Sequence, residues 1–189
     1  KQDYVNENSI GEPIGIYGAL KFSGEKIVIA YNQVFDIPYT IVRPSALYGE
    51  RCISRRVGQI FIENALLNKE IIIDGDGLEK LDFTYIQDLV SGVKAIIENK
   101  ESKNQVFNIT FGEGRKIIDL IEILKNYFGE VKVIKKERSK LMPKRGKLSG
   151  DKARELIGYN PAWNLEKGYN SYIKWYIDFF DRNKKNIET

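Results

Sequence analysis

The sequence contains no histidine, and among its 189 residues it has one cysteine, Cys52, and one methionine, Met142. Without histidine, a Ser-His-Asp hydrolase, a Cys-His protease and a histidine-ligated zinc site are excluded. A single cysteine excludes an internal disulfide and fits the reducing conditions of the cytoplasm. We therefore expect no bound metal, and any proton transfer must come from Tyr, Lys, Asp, Glu or Cys.

Long apolar runs and concentrated positive charge are also absent. No stretch approaches the ~20 apolar residues that a membrane span needs, and the first residues, KQDYVNENS, lack the apolar segment of a signal peptide. Lys plus Arg is 30 against 26 for Asp plus Glu, a net charge of +4. Because the basic residues are dispersed, we expect them to form a solvated surface, with no nucleic-acid partner and no membrane partner.

Helical and strand-like patterns alternate along the chain, which predicts an α/β fold with mixed strands. Helices are predicted over residues 17–34, 57–67, 117–128 and 151–157, after Asp88 as an N-cap, and around 169–180. Strands are predicted over residues 39–42, 70–73, 81–86, 106–109 and 131–134, and the loop around Gly112 and Gly114 follows one of them. The basic segment 135–147 is predicted to be a loop over the surface or over a ligand.

A tyrosine and a lysine four residues apart, Tyr17 and Lys21, project from one face of the first predicted helix. A free phenol has a pKa of ~10 and is a poor base at neutral pH, but a nearby ammonium stabilises the phenolate. The phenolate can then remove a hydroxyl proton while a hydride leaves for a nicotinamide cofactor. Since the chain has 11 tyrosines and many lysines, chance alone produces such a pair. By itself, the pair indicates only an exposed helix surface.

Five segments in a fixed order give this pair its context. They are PIGIYGALK at 13–21, VRPSALYG at 42–49, DGDG at 74–77 with LDFTYIQDL at 81–89, FNI at 107–109 and DKARELIGY at 151–159. These segments resemble the active-site helix, the Arg-Pro-x-Asn-x-Tyr-Gly strand end and the closing helix of extended short-chain dehydrogenases/reductases. The chain is similar to the C-terminal part of their NAD-dependent epimerase/dehydratase family, in particular to the nucleotide-sugar 4-epimerases.

The resemblance implies an architecture and an activity. The expected fold is α/β, with a partial NAD(P)-binding Rossmann domain, residues 1–50 and about 88–112, and a smaller α/β substrate-binding domain, about 51–87 and 113–189. The implied activity is that of an epimerase or dehydratase that transiently oxidises C4 of a sugar. The implied cofactor is NAD or NADP, and the implied substrate is a nucleoside-diphosphate sugar. The helix carrying Tyr17 and Lys21 is expected to form a homodimer.

The resemblance also implies roles for single residues. Tyr17 would be the general acid/base, and Lys21 would hydrogen-bond the nicotinamide ribose and stabilise the phenolate. Pro44 and Ser45 would line the nicotinamide side of the site.

Contacts to the nucleotide-sugar are implied for Ser45, Val57, Ile72, Asp74 and Arg145, the last on a loose alignment. We add Arg55 and Arg56 from their chemistry, since guanidinium groups at the start of a helix suit a diphosphate. An exposed basic helix terminus explains these two arginines equally well.

The sequence departs from the family pattern in two ways. The Gly-rich phosphate loop and the Ser/Thr upstream of the tyrosine are missing, and since only 16 residues precede Tyr17 we expect the chain to be a fragment. Inside the pattern, Ala46 replaces an asparagine, and Leu81 replaces an arginine that commonly meets the diphosphate. Lys80 is expected not to substitute for that arginine, because adjacent strand residues face opposite sides.

These departures leave two other functions open. One is an extended-family reductase that acts on a non-nucleotide substrate, which the exchanges at positions 46 and 81 favour. The other is a non-catalytic family member that keeps the fold, against which the intact Tyr17 and Lys21 argue. Epimerase and dehydratase are not separated by this part of the sequence.

Overall fold

The computed structural model describes residues 4–9, 11–138 and 147–187. Its helices are α1 (Gly15–Phe35), α2 (Val57–Leu66), α3 (Ile86–Glu98), α4 (Ile117–Phe128), α5 (Asp151–Ile157) and α6 (Leu165–Ile187). Its strands are β1 (Tyr4–Val5), β2 (Thr40–Pro44), β3 (Ile71–Asp74), β4 (Lys80–Asp82), β5 (Gln105–Ile109), β6 (Gly114–Lys116), β7 (Val133–Lys136) and β8 (Lys147–Leu148). Within these described ranges, no helix combines the length and the apolar character that a bilayer crossing requires.

The strands associate in pairs, three parallel and one antiparallel. β2 pairs with β5, β3 with β7 and β1 with β8 in parallel, whereas β4 and β6 run antiparallel. The α/β fold with mixed strands predicted from the sequence is thereby confirmed.

The larger hydrophobic core lies between α2, β3, β4, α4 and α6. The buried side chains of α4, Leu120, Ile121, Ile123 and Leu124, follow the helical period that the sequence shows. Tyr169 and Tyr172 enter the same core from α6 and are almost fully buried. This core holds together the elements that surround the groove described below.

A smaller core joins α3, β5 and α5. The lack of a side chain at Gly92 lets α3 lie directly on β5, because a Cβ there would be 2.5 Å from the Ile109 Cγ2 atom. Ala153 and Ile157 cover this core from α5. α5 thus packs with α3 and β5, the elements expected to complete the cofactor domain, although the predicted division places α5 in the substrate domain.

Helix α1 differs from the other long helices because none of its 21 residues is buried. Its connection to β2 is an ion pair in which Arg43 Nη2 lies 2.6 Å from Glu25 Oε2 and Arg43 Nε lies 2.8 Å from Glu25 Oε1. The hydrogen-bonded Glu25 carboxylate raises the pKa of Arg43 above its ordinary value. Arg43 is therefore a permanent cation that fixes the helix against the strand.

Four local predictions were wrong. The segment 135–147, predicted to be a loop, includes Lys135 and Lys136 at the end of β7 and Lys147 at the start of β8, and residues 139–146 lie outside the described ones. Asp88 is not an N-cap, because α3 is capped at Tyr85, and the buried Asp88 carboxylate accepts the N–H groups of Ala162 and Trp163 at 2.8 and 3.1 Å. The strand predicted over 81–86 ends at Asp82, and α3 begins at Ile86. Gly114 begins β6 and is not part of a loop.

Candidate functional site

The segment that follows β2 is pinned to the start of α3. Tyr48 donates its N–H to the Thr84 carbonyl oxygen at 3.1 Å, and Ile86 donates its N–H to the Tyr48 carbonyl oxygen at 2.9 Å. Gly49 has φ of 139°, and a Cβ at this position would overlap the Ile86 side chain. Packing against Ile86 therefore requires glycine at position 49, where the chain turns toward α2.

A cavity of about 170 Å³ lies between α2, β3 and α4. It is lined by Val57, Phe61, Ile72, Ile73, Asp74, Glu79, Leu81 and Ile117. Three residues predicted from the family resemblance as nucleotide contacts, Val57, Ile72 and Asp74, lie in this one lining. The walls are mostly apolar, and the carboxylates of Asp74 and Glu79 add polar acceptors.

A second cavity of about 200 Å³ continues from the first toward the end of β2. Its lining includes Ala46, Tyr48, Arg56 and Val57, and Leu81 is a wall of both cavities. We call the two cavities together the central groove. The groove is elongated, with acidic side chains at the β3 end and the Arg56 guanidinium near the β2 end.

Both internal departures from the family pattern line the central groove. Leu81 is 6% exposed, while the adjacent Lys80 points outward, as the alternation of strand side chains predicts. Ala46 has φ of 34°, in the left-handed region that asparagine tolerates better than alanine. The groove is therefore more apolar at position 81 and more strained at position 46 than the family pattern implies.

The predicted acid/base pair lies on α1, outside the groove. Lys21 Nζ is 5.8 Å from the centre of the Tyr17 ring, so the two side chains share one face as predicted. Tyr17 is 72% exposed. Pro44 is exposed and Ser45 is half-buried at the end of β2. These four residues line neither cavity of the central groove, and their predicted roles stay predictions.

The predicted arginines have different surroundings. Arg56 lines the central groove, but Arg55 turns away and pairs with Glu63, with Nη2 2.8 Å from Oε2. Glu63 also accepts a hydrogen bond from the Tyr176 hydroxyl at 2.5 Å, and this bond connects the Arg55–Glu63 pair to α6. Arg145 lies outside the described residues.

Two tyrosines near the groove are unsuitable as bases at neutral pH. Burial, with smaller contributions from nearby acidic groups, raises the pKa of Tyr48 far above its ordinary value. Burial and the hydrogen bond to Glu50 raise the pKa of Tyr85 to about 12. Both phenols therefore stay protonated, and the exposed Tyr17 beside Lys21 remains the candidate acid/base.

Sequence reasoning missed Phe61, Glu79 and Ile117 as groove residues. Phe61 lies one helical turn after Val57, so the helical period could have indicated it. Ile117 begins α4, and its place in the groove depends on the β4–β6 pairing. Glu79 is held by Arg138, with Nη2 2.8 Å from Oε1, a contact that no local pattern reveals. Across the described ranges, no group of three or more potential ligands could hold a metal ion.

Known proteins share this fold. A Bacillus subtilis protein named as an uncharacterized UDP-glucose epimerase, YtcB, is 30% identical over 93% of this chain and 56% of its own length. The crystal structure of UDP-glucuronic acid 4-epimerase from Bacillus cereus, in complex with UDP-glucuronic acid and NAD, is 30% identical, with a TM-score of 0.89. That comparison covers 95% of this chain and 58% of the other.

A UDP-glucose 4-epimerase from Thermotoga maritima, solved with UDP-glucose, is 29% identical over 93% of this chain and 58% of its own, with a TM-score of 0.86. The chain spans about half the length of the curated relatives that it matches. The sequence pattern that defines the NAD dependent epimerase/dehydratase family matches residues 1–110. With that match across more than half of its residues, the chain belongs to the NAD dependent epimerase/dehydratase family.

Proposed function

We propose that the protein acts as an NAD-dependent 4-epimerase of a UDP-sugar. The observation that carries this proposal is the central groove, which unites Val57, Ile72 and Asp74 in a fold similar to that of epimerases solved with UDP-sugars. The apolar walls suit a planar base, and a carboxylate suits the single N–H group of a uracil ring. The elongated shape suits a nucleotide that extends from β3 toward the end of β2.

We assign the diphosphate to the part of the groove beside Arg56. A guanidinium binds phosphate oxygens with charge-assisted hydrogen bonds, and Arg56 is the predicted arginine that lines the groove. Arg55 already has Glu63 as a partner. Leu81 offers no polar contact, so the diphosphate depends more on Arg56 than the family pattern implies.

The residues at the end of β2 and on α1 fit a nicotinamide cofactor. NAD, when bound, supplies the oxidant for the sugar carbinol. Tyr17 has an exposed phenol that removes the C4 hydroxyl proton and returns it to the product. Lys21, with its ammonium 5.8 Å from the Tyr17 ring, stabilises the phenolate. Pro44 and Ser45 line the nicotinamide side, and residues 1–50 with about 88–112 form this part of the cofactor domain.

Replacing Tyr17 by phenylalanine in the intact protein tests the assignment. We expect kcat for UDP-sugar epimerisation to fall about 10²- to 10⁴-fold with little change in KM, because a proton transfer is lost while the groove is intact. Tyr127→Phe, on the exposed side of α4 and outside the groove, is the matched control and should keep the activity. Undiminished turnover by Tyr17→Phe would exclude Tyr17 as the acid/base.

A reductase of a non-nucleotide substrate is the second candidate, favoured by Ala46 and Leu81 in the groove. Titration calorimetry with UDP separates the two functions. An epimerase of UDP-sugars should bind UDP, and Asp74→Asn should weaken this binding about tenfold or less, as the loss of one hydrogen-bond acceptor does. No heat of UDP binding would favour the reductase.

We also propose that α1 contributes to a homodimer. Leu20, Ile27, Tyr31 and Val34 form one apolar stripe of α1, and each is more than half exposed. Glu25, which faces β2 through Arg43, lies on a different side of the helix. The stripe is therefore free to contact the same stripe of a second copy.

A further inference from the structure

A cavity separate from the central groove lies between the segment after β2 and the C-terminal half of α6. Its volume is about 580 Å³, large enough for a small peptide-sized ligand. Cys52 and Arg51 lie on one wall, and Trp175, Phe179 and Arg182 lie on the other. The Trp175 and Phe179 rings are stacked with centres 5.1 Å apart and form a flat apolar surface. We call this cavity the Cys52 pocket.

The surroundings of Cys52 favour its reactive form. Burial acts to raise the pKa of the Cys52 thiol, but the Ser54 hydroxyl, the backbone N–H groups of Ser54 and Arg56 and the Arg56 charge bring it below its ordinary value. The Cys52 Sγ lies 3.5 Å from the Ser54 Oγ. The thiol is partly exposed and faces a cavity that contains two guanidinium groups. Partly exposed cysteines in electropositive surroundings are the ones that react.

Gln59 gives a second, independent indication of a ligand. This side chain is only 8% exposed and lines the Cys52 pocket. Its Nε2 donates to Glu63 Oε1 at 2.8 Å and lies 3.4 Å from the Tyr176 hydroxyl. Its Oε1 atom is buried and has no hydrogen-bond partner in the described part of the chain. A ligand that carries an N–H group would supply the partner that this acceptor lacks.

We propose that Cys52 is a modification site that forms a mixed disulfide with a low-molecular-weight disulfide carrying carboxylates and amide N–H groups. The carboxylates match Arg51 and Arg182, and an amide N–H matches Gln59 Oε1. The Cys52 thiolate attacks one sulfur of the small disulfide, and a bond forms between that sulfur and Sγ. The original S–S bond breaks, and the other half leaves with the electron pair as a thiolate that takes up a proton. Cys52 is oxidised, and the small disulfide is reduced.

The rates of adduct formation with two alkyl disulfides of opposite charge test this site. Glutathione disulfide is anionic and peptidic, whereas cystamine is cationic and lacks amides. For each protein state, the preference is the rate with glutathione disulfide divided by the rate with cystamine. This ratio should be at least about tenfold larger for the folded protein than for the urea-unfolded protein, because the pocket concentrates anions. Mass spectrometry measures each adduct, and Cys52→Ser identifies the mass gain that belongs to this residue.

Arginine variants separate the pocket from general thiol reactivity. Arg51→Gln and Arg182→Gln should reduce the preference toward the value of the unfolded chain, whereas Arg154→Gln, on α5, should leave it unchanged. An equal preference in the folded and unfolded protein would overturn the proposal, and so would a preference that both pocket variants keep. The measurement needs no enzyme activity, so its outcome is independent of the proposed epimerase function.

Discussion

Ala46 holds a left-handed backbone conformation where the chain leaves β2 and enters the central groove. For a residue with a Cβ this conformation costs about 1–2 kcal/mol, and strain of this kind tends to collect at functional sites. Ser45 and Ala46 connect the strand end assigned to the cofactor with the groove assigned to the sugar nucleotide. The strain is therefore located at the junction of the two proposed half-sites.

Ala46→Gly should stabilise the protein, because glycine adopts positive φ without a Cβ penalty. The expected gain in the free energy of unfolding is about 0.5–1 kcal/mol, since the greater freedom of glycine in the unfolded chain offsets part of the relief. Urea denaturation measures it. Ala65→Gly, within α2, is the control and should lose about 1 kcal/mol. A loss of stability in both variants would show that position 46 is not strained.

Among the elements, β6 and α6 are joined by Arg115 and Glu166, with Nη2 2.5 Å from Oε1 and Nη1 3.1 Å from Oε2. The hydrogen bonds from Arg115 hold the pKa of Glu166 below its ordinary value of 4.5. A depressed carboxyl pKa contributes stability above the unfolded pKa, and this contribution is lost as the pH falls through the folded value.

Glu166→Gln should therefore lose less stability than the wild type when the pH falls from about 7 to about 3.5. The difference should be under about 1 kcal/mol, because the Glu166 side chain is 47% exposed and solvent screens the pair. Urea midpoints at the two pH values measure it, and Glu155→Gln, on the surface of α5, is the control. An identical pH dependence in Glu166→Gln and the wild type would contradict the role of this ion pair.

Helices and strands were predicted correctly where nearby residues in the sequence determine them, and incorrectly where distant residues do. Apolar periodicity and the following Gly129 and Gly158 predicted α4 and α5 with the bounds that the structure has. Asp88 was misjudged because its partners, the N–H groups of Ala162 and Trp163, are more than 70 residues away. The Arg55–Glu63 pair was not foreseen for a different reason. The two residues are close in sequence, but Arg55 precedes α2, so no helical spacing links it to Glu63.

Most residues of the candidate site were predicted from the family resemblance, whereas Arg56 was predicted from its place at the start of a helix. Val57, Ile72 and Asp74 belong to no local motif. They were grouped as nucleotide contacts only because they match positions of the family pattern. Glu79 joins them through the contact with Arg138 across 59 residues, which neither periodicity nor the resemblance supplied.

At the scale of the whole molecule, the described residues form one larger and one smaller hydrophobic core, and α1 lies outside both. The larger core encloses the central groove, whereas β2 is only half-buried and α1 is not buried at all. The exposed stripe of α1 is left uncovered by the contacts of the described residues. Its proposed occupant is the same stripe of a second copy.

Replacing Ile27 by glutamate tests this dimer. Ile27 is 57% exposed and lies in the middle of the stripe, so a carboxylate there should raise the dissociation constant of the dimer at least about tenfold, because a buried charge without a partner is costly. Sedimentation equilibrium measures the mass. Lys26→Glu, on another side of α1, is the control and should keep the dimer. A wild type that stays monomeric at all concentrations would contradict the proposal.

The position of Tyr17 and Lys21 on an unburied helix has a consequence for local stability. Elements with few buried contacts open at low free energy, independently of the global unfolding of the cores. The amide hydrogens of α1 should therefore exchange much faster than those of α4, and they should slow when another surface covers the helix. Dimer formation would then order Tyr17 and Lys21, so that the proton transfer is available only in the dimer.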